Sequence, residues 1–221
     1  STIAGTGIPG SGIDGIEATK SEMIEPNDCV LDGHGGLLIA DVQDQKIRRV
    51  DLETNIITTF AGTGKKEHSG DGGPAIEASI FGARAICVDR SNNTYICERE
   101  GNTLRKIDPS GIITTVGGTG EKGYSGDNGP ATTALFNGPK AIRCDKHGNI
   151  LVVDTENHCV RIVNATNGTI STIAGGTEGP HGDGLNPLEA GMARPHGAIS
   201  DNDGNIYVAD SENHRVRIIT L

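Results

Sequence analysis

Tryptophan is absent from the sequence, and only three phenylalanines and three tyrosines occur among its 221 residues. The core must therefore be built from aliphatic side chains, and sugar binding by aromatic stacking is disfavoured. Long hydrophobic runs are also missing, since no stretch approaches the roughly 20 apolar residues of a membrane span. Membrane insertion is therefore not predicted. No signal peptide is visible and the first residue is Ser1, so the location stays unassigned, with an extracellular or extracytoplasmic one favoured.

Positive charge is scarce. The sequence has 29 acidic and 19 basic residues, which gives a net charge of −10. Nucleic acids and anionic lipid surfaces attract positively charged proteins, so neither is predicted as a partner.

The cysteines form no metal-binding pattern. There are five of them, without a Cys-x-x-Cys pair or a His/Cys spacing typical of zinc sites, and an odd number argues against a full disulfide framework. Most are expected to be small buried residues, although Cys87 and Cys97 lie on adjacent predicted strands and could face each other. Phosphate-loop and serine-hydrolase motifs are absent as well. We therefore predict no metal and no cofactor.

Glycine, in contrast, is abundant, with 33 residues, and the sequence repeats with a period of about 56 residues. The first signal is a Ser/Thr-Thr-φ-Ala/Gly-Gly segment, where φ is apolar, whose final glycines are 57, 56 and 57 residues apart. Its four copies are Ser1–Gly5, Thr58–Gly62, Thr114–Gly118 and Ser171–Gly175.

Two further signals recur with the same period. An acidic residue closes an apolar run in each repeat, and an arginine always follows seven residues later. These pairs are Asp41 with Arg48, Glu98 with Arg105, Asp154 with Arg161, and Asp210 with Arg217. Since a catalytic carboxylate would occur once, we interpret the recurring pairs as structural ion pairs or turn caps.

Each repeat has the pattern of four short antiparallel strands. In the last repeat, strands are predicted at 198–200, 206–209 and 216–219, separated by turns rich in Asn, Asp and Gly. The Ser/Thr-Thr-φ-Ala-Gly segment is the fourth strand, and a piece such as 74–78 could form one helical turn. Four short strands cannot bury both faces alone, whereas radial stacking of such sheets does so. The sequence therefore predicts an all-β fold, a β-propeller of four blades.

The segment 207–217, Tyr-Val-Ala-Asp-Ser-Glu-Asn-His-Arg-Val-Arg, resembles the NHL repeat, which is named after an Asn-His-Leu motif. Asn157-His158 and Asn213-His214 keep the first two letters, while the first two repeats have Asp44-Gln45 and Gly101-Asn102 instead. The loops 69–75 and 125–131 are similar to those of long-loop NHL repeats. The resemblance implies a propeller but no single function, because the family includes binding modules, sensor domains and lyases.

The number of blades has two interpretations. NHL propellers usually have six blades, so four repeats could be an arc or a fragment of a larger ring. Alternatively, residues 1–5 supply the fourth strand of the last blade and close a four-bladed ring, which removes exposed sheet edges. We favour closure and predict one domain, 1–221, with repeats at about 1–56, 57–112, 113–168 and 169–221.

The first strand of each blade lines the central channel in this fold. The position that opens it holds Asn27, Arg84, Lys140 and His196, three of which are basic or can become so. Together they could bind a small anion, or they could be solvated rim residues. NHL-type lyases rely on several channel histidines with a metal, and only one such histidine, His196, occurs here.

Two other sets of polar residues have a structural and a functional interpretation. Asp14, Asp71, Asp127 and Asp183 lie in the Gly-rich loops and suit turn capping better than calcium binding. Asn92, Asn164 and Asn167 begin Asn-x-Thr sequons and could carry glycans on a secreted protein.

Three functions remain open. The favoured one is a non-enzymatic protein-interaction or assembly scaffold, such as an extracellular structural subunit, whose partner is a protein or a second copy. The alternatives are a ligand-sensing domain of a larger receptor or kinase and a lyase or hydrolase centred on the channel. The enzyme would need a metal or an acid/base pair, and neither is evident in the sequence.

Overall fold

The computed structural model describes residues 1–220, and its regular structure consists of β-strands and short 3-10 helices. These residues contain sixteen strands in four antiparallel sheets. The first sheet has the spatial order β1 (Ile16–Glu17), β5 (Ile56–Ala61), β4 (Lys46–Asp51), β3 (Gly36–Asp41) and β2 (Pro26–Leu31). The second runs from β6 (Ala83–Val88) through β7 (Thr94–Glu98) and β8 (Thr103–Ile107) to β9 (Ile113–Gly117).

The other two sheets follow the same meander. The third has β10 (Ala141–Cys144), β11 (Ile150–Asp154), β12 (Cys159–Val163) and β13 (Ile170–Gly175) in this order. The fourth has β14 (Gly197–Ser200), β15 (Ile206–Asp210) and β16 (Arg215–Ile219). The short strands predicted in the last repeat are confirmed, as is the all-β class.

Six 3-10 helices of three residues each lie in the connections. They span Ala18–Lys20, Ala75–Glu77, Ala131–Thr133, Thr155–Asn157, Pro187–Glu189 and Ser211–Asn213. The helical turn expected at 74–78 is the second of these. Within the described residues, no helix has the length and apolar character needed to cross a membrane.

The third and fourth strands of a sheet pair through a bulge at the recurring arginine. Val160 lies opposite Ala174, but Arg161 lies opposite Thr172, so one residue of β13 is left over. The first sheet repeats this shift between Ile47 and Arg48. A bulge twists the strand and redirects a side chain, and here it coincides with the residue that must reach the loops.

The chain divides into two compact units, residues 1–101 with 105–114, and residues 102–104 with 115 onwards. Each unit has an aliphatic core, as the shortage of aromatics predicts. Buried residues of the first unit include Leu38, Ile86 and Ile96, and those of the second include Leu151 and Val208. The prediction of a single domain stays a prediction, and its last residue, Leu221, lies outside the described residues.

The fourth sheet has three strands within residues 1–220, and residues 1–5 contain no strand. Val216 and Ile218 of β16 are 74% and 55% exposed, and Ile3 is 48% exposed. A strand requires a neighbour for its N–H and C=O groups, and residues 1–5 have none in the first sheet. Closure of a four-bladed ring by this segment is therefore not confirmed.

Candidate functional site

A buried arginine anchors the long loop of each repeat. Arg48, Arg105 and Arg161 have fully buried side chains. Arg161 Nη2 donates to Ser125 O at 2.7 Å, and Nη1 donates to Leu135 O at 2.9 Å. Its guanidinium also lies 5.2 Å from the centroids of the Tyr124 and Phe136 rings. The arginine therefore ties the loop before β10 to strand β12.

The loop aspartates are the partners of these arginines. Asp127 Oδ1 accepts a hydrogen bond from Arg161 Nη2 at 2.8 Å, and each of the other repeats has the same contact at 2.7 Å. The pairs are Asp14 with Arg48, Asp71 with Arg105, Asp127 with Arg161, and Asp183 with Arg217. The spacing is 34 residues in every case, so the pairing has a signal in the sequence as well. The described residues contain no group of three or more side chains suited to a metal.

The recurring acidic residue holds the entry to the first strand. Asp154 Oδ1 accepts the Asn137 N–H at 2.8 Å, and Asp210 accepts the Ala193 N–H at the same distance. Glu98 and Phe81 form the matching bond at 2.8 Å. All these carboxylates are buried, and burial raises the pKa of Asp154 to about 6, although its hydrogen bonds and Arg161 act in the opposite direction.

The ion pairs within the sheets are longer and not universal. Arg105 lies 3.4 Å from Glu98, and Arg161 and Arg217 lie 3.5 Å from Asp154 and Asp210. In the first sheet, within residues 1–220, no ion pair joins Asp41 to Arg48. Asp41 accepts the Ile24 and Glu25 N–H groups instead, at 3.0 and 2.7 Å. The acidic residue of this seven-residue spacing therefore accepts backbone N–H groups in all four repeats, whereas it pairs with the arginine in only three of them within residues 1–220.

In the first unit, two of the residues expected at the channel mouth lie near one carboxylate. Asn27 Nδ2 donates to Glu25 Oε1 at 3.1 Å, and Arg84 Nη1 lies 3.9 Å from the same oxygen. In the second unit, Lys140 Nζ lies 2.9 Å from His196 Nε2. The structure thus brings Asn27 near Arg84 and Lys140 near His196, and anion binding by these residues stays a prediction.

Sequence reasoning missed a hydrogen bond that joins consecutive repeats. A left-handed residue follows the turn after each second strand, with φ between 51° and 56°. Its side chain accepts a hydrogen bond from a backbone N–H of the next repeat. The donor residue lies one or three positions before the first strand of that repeat. The bonds are Gln45 with Gly82 at 2.7 Å, Asn102 with Gly138 at 2.9 Å, and His158 with Arg194 at 3.2 Å. We call Gln45, Asn102, His158 and His214 the latch residues.

The last latch residue is different. His214 has the same φ, 55°, but its side chain makes no such bond within residues 1–220. The repeat period makes Glu25 the counterpart of Gly82, and the Glu25 N–H is taken by Asp41.

An apolar groove runs along β16. Its volume is about 500 Å³, and its lining includes Ala174, Leu185, Met192, Val216, Ile218 and Ile219. We call it the β16 groove. The strands β4, β8 and β12 each have a fourth strand as a neighbour, and within residues 1–220 β16 has none.

A second apolar groove lies in the first repeat. Its volume is about 490 Å³, and Ala4, Ile8, Met23 and Ile24 are among its lining residues. Ile8 is 63% exposed and Ile24 is 39% exposed. The first and last repeats therefore both present apolar surface.

The remaining features that the sequence singled out are the glycosylation sequons and the cysteines. Asn92 and Asn167 are exposed, whereas Asn164 is half-buried, and Asn167 Oδ1 accepts hydrogen bonds from Thr169. Glycosylation at all three stays a prediction. Within the described residues no disulfide joins the cysteines, and Cys87 lies opposite Tyr95 while Cys97 lies opposite Ala85. The expectation that Cys87 and Cys97 could face each other is wrong, because the strand register offsets them by two residues.

Comparison with solved structures reveals propellers of other functions. An auxiliary nutrient binding protein from Bacteroides thetaiotaomicron superposes with a TM-score of 0.66 and 22% identity over 87% of this chain and 47% of that one. A virginiamycin B lyase from Staphylococcus aureus gives 0.56 and 16% identity over 88% and 52%. At these identities the likeness shows the β-propeller fold alone.

Comparison of sequences gives the family. The family model of the NHL repeat matches residues 136–163 and 192–219, and that of the teneurin NHL domain matches residues 61–125. NHL repeat-containing protein 2 from Gallus gallus is 26% identical over 77% of this chain and 25% of that protein. Human teneurin-1 is 30% identical over 83% of this chain and 6% of its own length. The chain spans a quarter or less of these two relatives, and it belongs to the NHL-repeat family.

Proposed function

We propose that the chain is a non-enzymatic protein-interaction or assembly scaffold, which binds an extended polypeptide strand in the β16 groove. The observation that carries this proposal is the edge strand β16, which exposes Val216 and Ile218 beside the β16 groove. An open edge offers unpaired N–H and C=O groups, and an extended segment that adds to it gains main-chain hydrogen bonds. The groove adds apolar pockets for its side chains.

The other sheets indicate what such a strand looks like. In each, the neighbour of the third strand is a Ser/Thr-Thr-φ-Ala/Gly-Gly segment. In β13 of the third sheet, Ala174 lies opposite Val160 and is fully buried. We therefore expect the preferred occupant to have a small residue at that position and no charge along the strand.

The arrangement of the blades follows from the same pairing. Docking of residues 1–5 on the β16 edge of the same chain closes the four-bladed ring that the sequence favours. An arc within a larger ring is the alternative, in which the occupant comes from elsewhere. Both arrangements use the β16 groove in the same way.

The test is binding of a synthetic peptide with the sequence of residues 170–176, labelled with a fluorophore. We expect saturable binding that is lost when Val216→Lys and Ile218→Lys are combined, because charges on an edge strand oppose pairing. Leu52→Lys, at another exposed apolar residue, is the matched control and should leave binding unchanged. Absence of binding, or binding that survives the double substitution, contradicts the proposal.

A second candidate is a small-anion site at Lys140 and His196, supported by their 2.9 Å contact. It corresponds to the ligand-sensing and enzymatic alternatives. Titration with inorganic phosphate should shift the His196 ring signals in NMR spectra of the wild type and not of Lys140→Met. Unchanged His196 signals up to millimolar phosphate would exclude this candidate.

A further inference from the structure

Lys140 and His196 bring an amine and an imidazole into direct contact within the second unit. Lys140 Nζ and His196 Nε2 lie 2.9 Å apart, which is within hydrogen-bond distance. We propose that Lys140 is a reactive amine that captures small aldehydes or ketones reversibly as an imine, and that His196 takes and returns the proton. This covalent ligand binding goes beyond strand binding in the β16 groove and does not depend on it.

The backbone directs both side chains in the same way. The Lys140 N–H donates to Val153 O at 3.1 Å, although its neighbour Ala141 is the residue paired with Val153. The His196 N–H makes the matching bond to Ala209 O, also at 3.1 Å, beside the residue that is paired with Ala209. Two residues of the first strand thus oppose one residue of the second, which is the pattern of a β-bulge. A bulge redirects a side chain, and here two redirected side chains meet.

The first unit shows that the bulge alone does not create a reactive pair. The register shifts of its two sheets leave Asn27 and Arg84 as the extra residues at the start of β2 and β6. Their side chains lie near the Glu25 carboxylate. An amide and a guanidinium serve as neither nucleophile nor base at neutral pH. Of the two pairs of bulge residues, that of the second unit therefore combines a nucleophile with a base.

A nucleophile within hydrogen-bond distance of a base is the arrangement that activates side chains for covalent chemistry. A lysine must lose a proton before its nitrogen can attack a carbonyl carbon. His196 Nε2 is placed to accept that proton from Lys140 Nζ, provided that the neutral ring carries its own proton on Nδ1. The contact therefore supplies the unprotonated amine that imine formation requires.

The remaining steps balance in atoms and charge. The amine of Lys140 forms a C–N bond to the carbonyl carbon, and the carbonyl oxygen takes a proton from the attached nitrogen. The imidazolium of His196 then protonates the resulting hydroxyl group, which leaves as water while the C=N bond forms. An ammonium ion and a carbonyl compound thus give a protonated imine and water, and His196 returns to the neutral state. Hydrolysis reverses these steps.

Lys146 provides a comparison within the same unit. Its Nζ donates to Asn202 O, and these two residues are 56 positions apart, as Lys140 and His196 are. A backbone carbonyl accepts a hydrogen bond but does not take up a proton at neutral pH. Lys146 is exposed whereas Lys140 is half-buried. Accessibility alone would therefore make Lys146 the faster of the two lysines to react.

Reductive trapping with propanal and sodium cyanoborohydride tests the inference. The reagent converts an imine into a stable secondary amine, and mass spectrometry of proteolytic peptides gives the labelling rate of each lysine. We expect Lys140 to be labelled about tenfold faster than Lys146, because a positioned base assists the proton transfers. Equal rates, or faster labelling of Lys146, would overturn the inference. This comparison uses the wild-type protein, so it does not depend on the folding of a variant.

Two histidine variants test the role of the imidazole. His196→Gln keeps an acceptor for a hydrogen bond but removes the base, so the labelling rate of Lys140 should fall to that of Lys146. His147→Gln, at an exposed histidine of the same unit, is the matched control and should leave the rate at Lys140 unchanged. A rate at Lys140 that His196→Gln does not lower also overturns the inference.

The uncharged probe separates imine formation from anion binding at the same residues. Labelling of Lys140 without an effect of phosphate on His196 would exclude the small-anion candidate and leave the reactive amine in place. An effect of phosphate without preferential labelling of Lys140 would do the reverse. Binding of the strand peptide to the β16 groove is measured separately and is unaffected by either result.

Discussion

The residues that the sequence repeats most faithfully form an ionic network inside each repeat. In the third repeat, Arg161 is buried between two aromatic rings and shares its charge between Asp127 and the more distant Asp154. Burial of an arginine is costly unless its charge and its N–H groups have partners, so the loop carbonyls that it binds are as necessary as the carboxylates. The recurrence of this network explains why the long loops have a defined structure.

Arg161→Met should therefore be strongly destabilising. Removal of one partner of a buried pair leaves the other charge without compensation and costs about 3 to 5 kcal/mol. Lys20→Met is the control, because Lys20 is 71% exposed in its pair with Glu17 and its loss should leave the stability nearly unchanged. Denaturant unfolding measures both, and equal losses for the two variants would contradict this account.

The buried Asp154 predicts a pH dependence with a definite sign. Its pKa of about 6 in the folded state exceeds the value of about 3.9 in an unfolded chain, so the folded state binds the proton more tightly. The resulting stabilisation is complete below about pH 4 and is lost as the pH rises through 6. Relative to Asp154→Asn, the wild type should lose about 2 kcal/mol of unfolding free energy between pH 4 and pH 7. A pH-independent difference between the two proteins would show that Asp154 is ionised throughout.

At the scale of strands and turns, consecutive repeats are joined through the latch residues. Each lies in the left-handed conformation at the turn before a third strand, and its side chain reaches forward to the next repeat. Asparagine adopts this conformation readily, which explains how an amide and an imidazole can share the position. The family motif marks the histidine in two repeats, but its contact is visible only in the folded chain.

Substitutions at His158 test the latch. His158→Leu removes the acceptor of the Arg194 N–H and should cost about 1 to 3 kcal/mol. His158→Asn reproduces the residue of the second repeat and should remain close to wild type. Hydrogen exchange of the Arg194 amide, together with denaturant unfolding, measures the effect. An equal loss for both variants would indicate that the imidazole acts by packing instead of by its hydrogen bond.

At the scale of the whole molecule, the net charge of −10 should matter little for the proposed strand binding, because the peptide 170–176 has no charged side chain. The Debye length falls from about 30 Å at 0.01 M salt to about 8 Å at 0.15 M, so a contact between charges would weaken over this range. The affinity for the peptide should therefore change little between the two salt concentrations, as fluorescence titration can measure. A steep loss of affinity with salt would show that charges dominate the contact. The Val216→Lys and Ile218→Lys double variant should fail to bind at both salt concentrations.

The sequence by itself determined the all-β class, the repeat period, the positions of most strands and the aliphatic core. These properties depend on local alternation, turn residues and composition, which neighbours along the chain express directly. The sequence also identified the recurring Asp or Glu, the recurring arginine and the loop aspartate. It did not show that the loop aspartate contacts the arginine.

Only the tertiary structure decided how those sets combine. The contact of Asp127 with Arg161 joins residues 34 positions apart, and that of His158 with Arg194 joins residues 36 apart, so both form only after the loop has folded back. The exposure of Val216 and Ile218 on β16 likewise emerges only in the folded chain. The identical pentapeptide at 171–175 forms a strand because β12 lies beside it, since strand structure depends on a neighbour as much as on sequence.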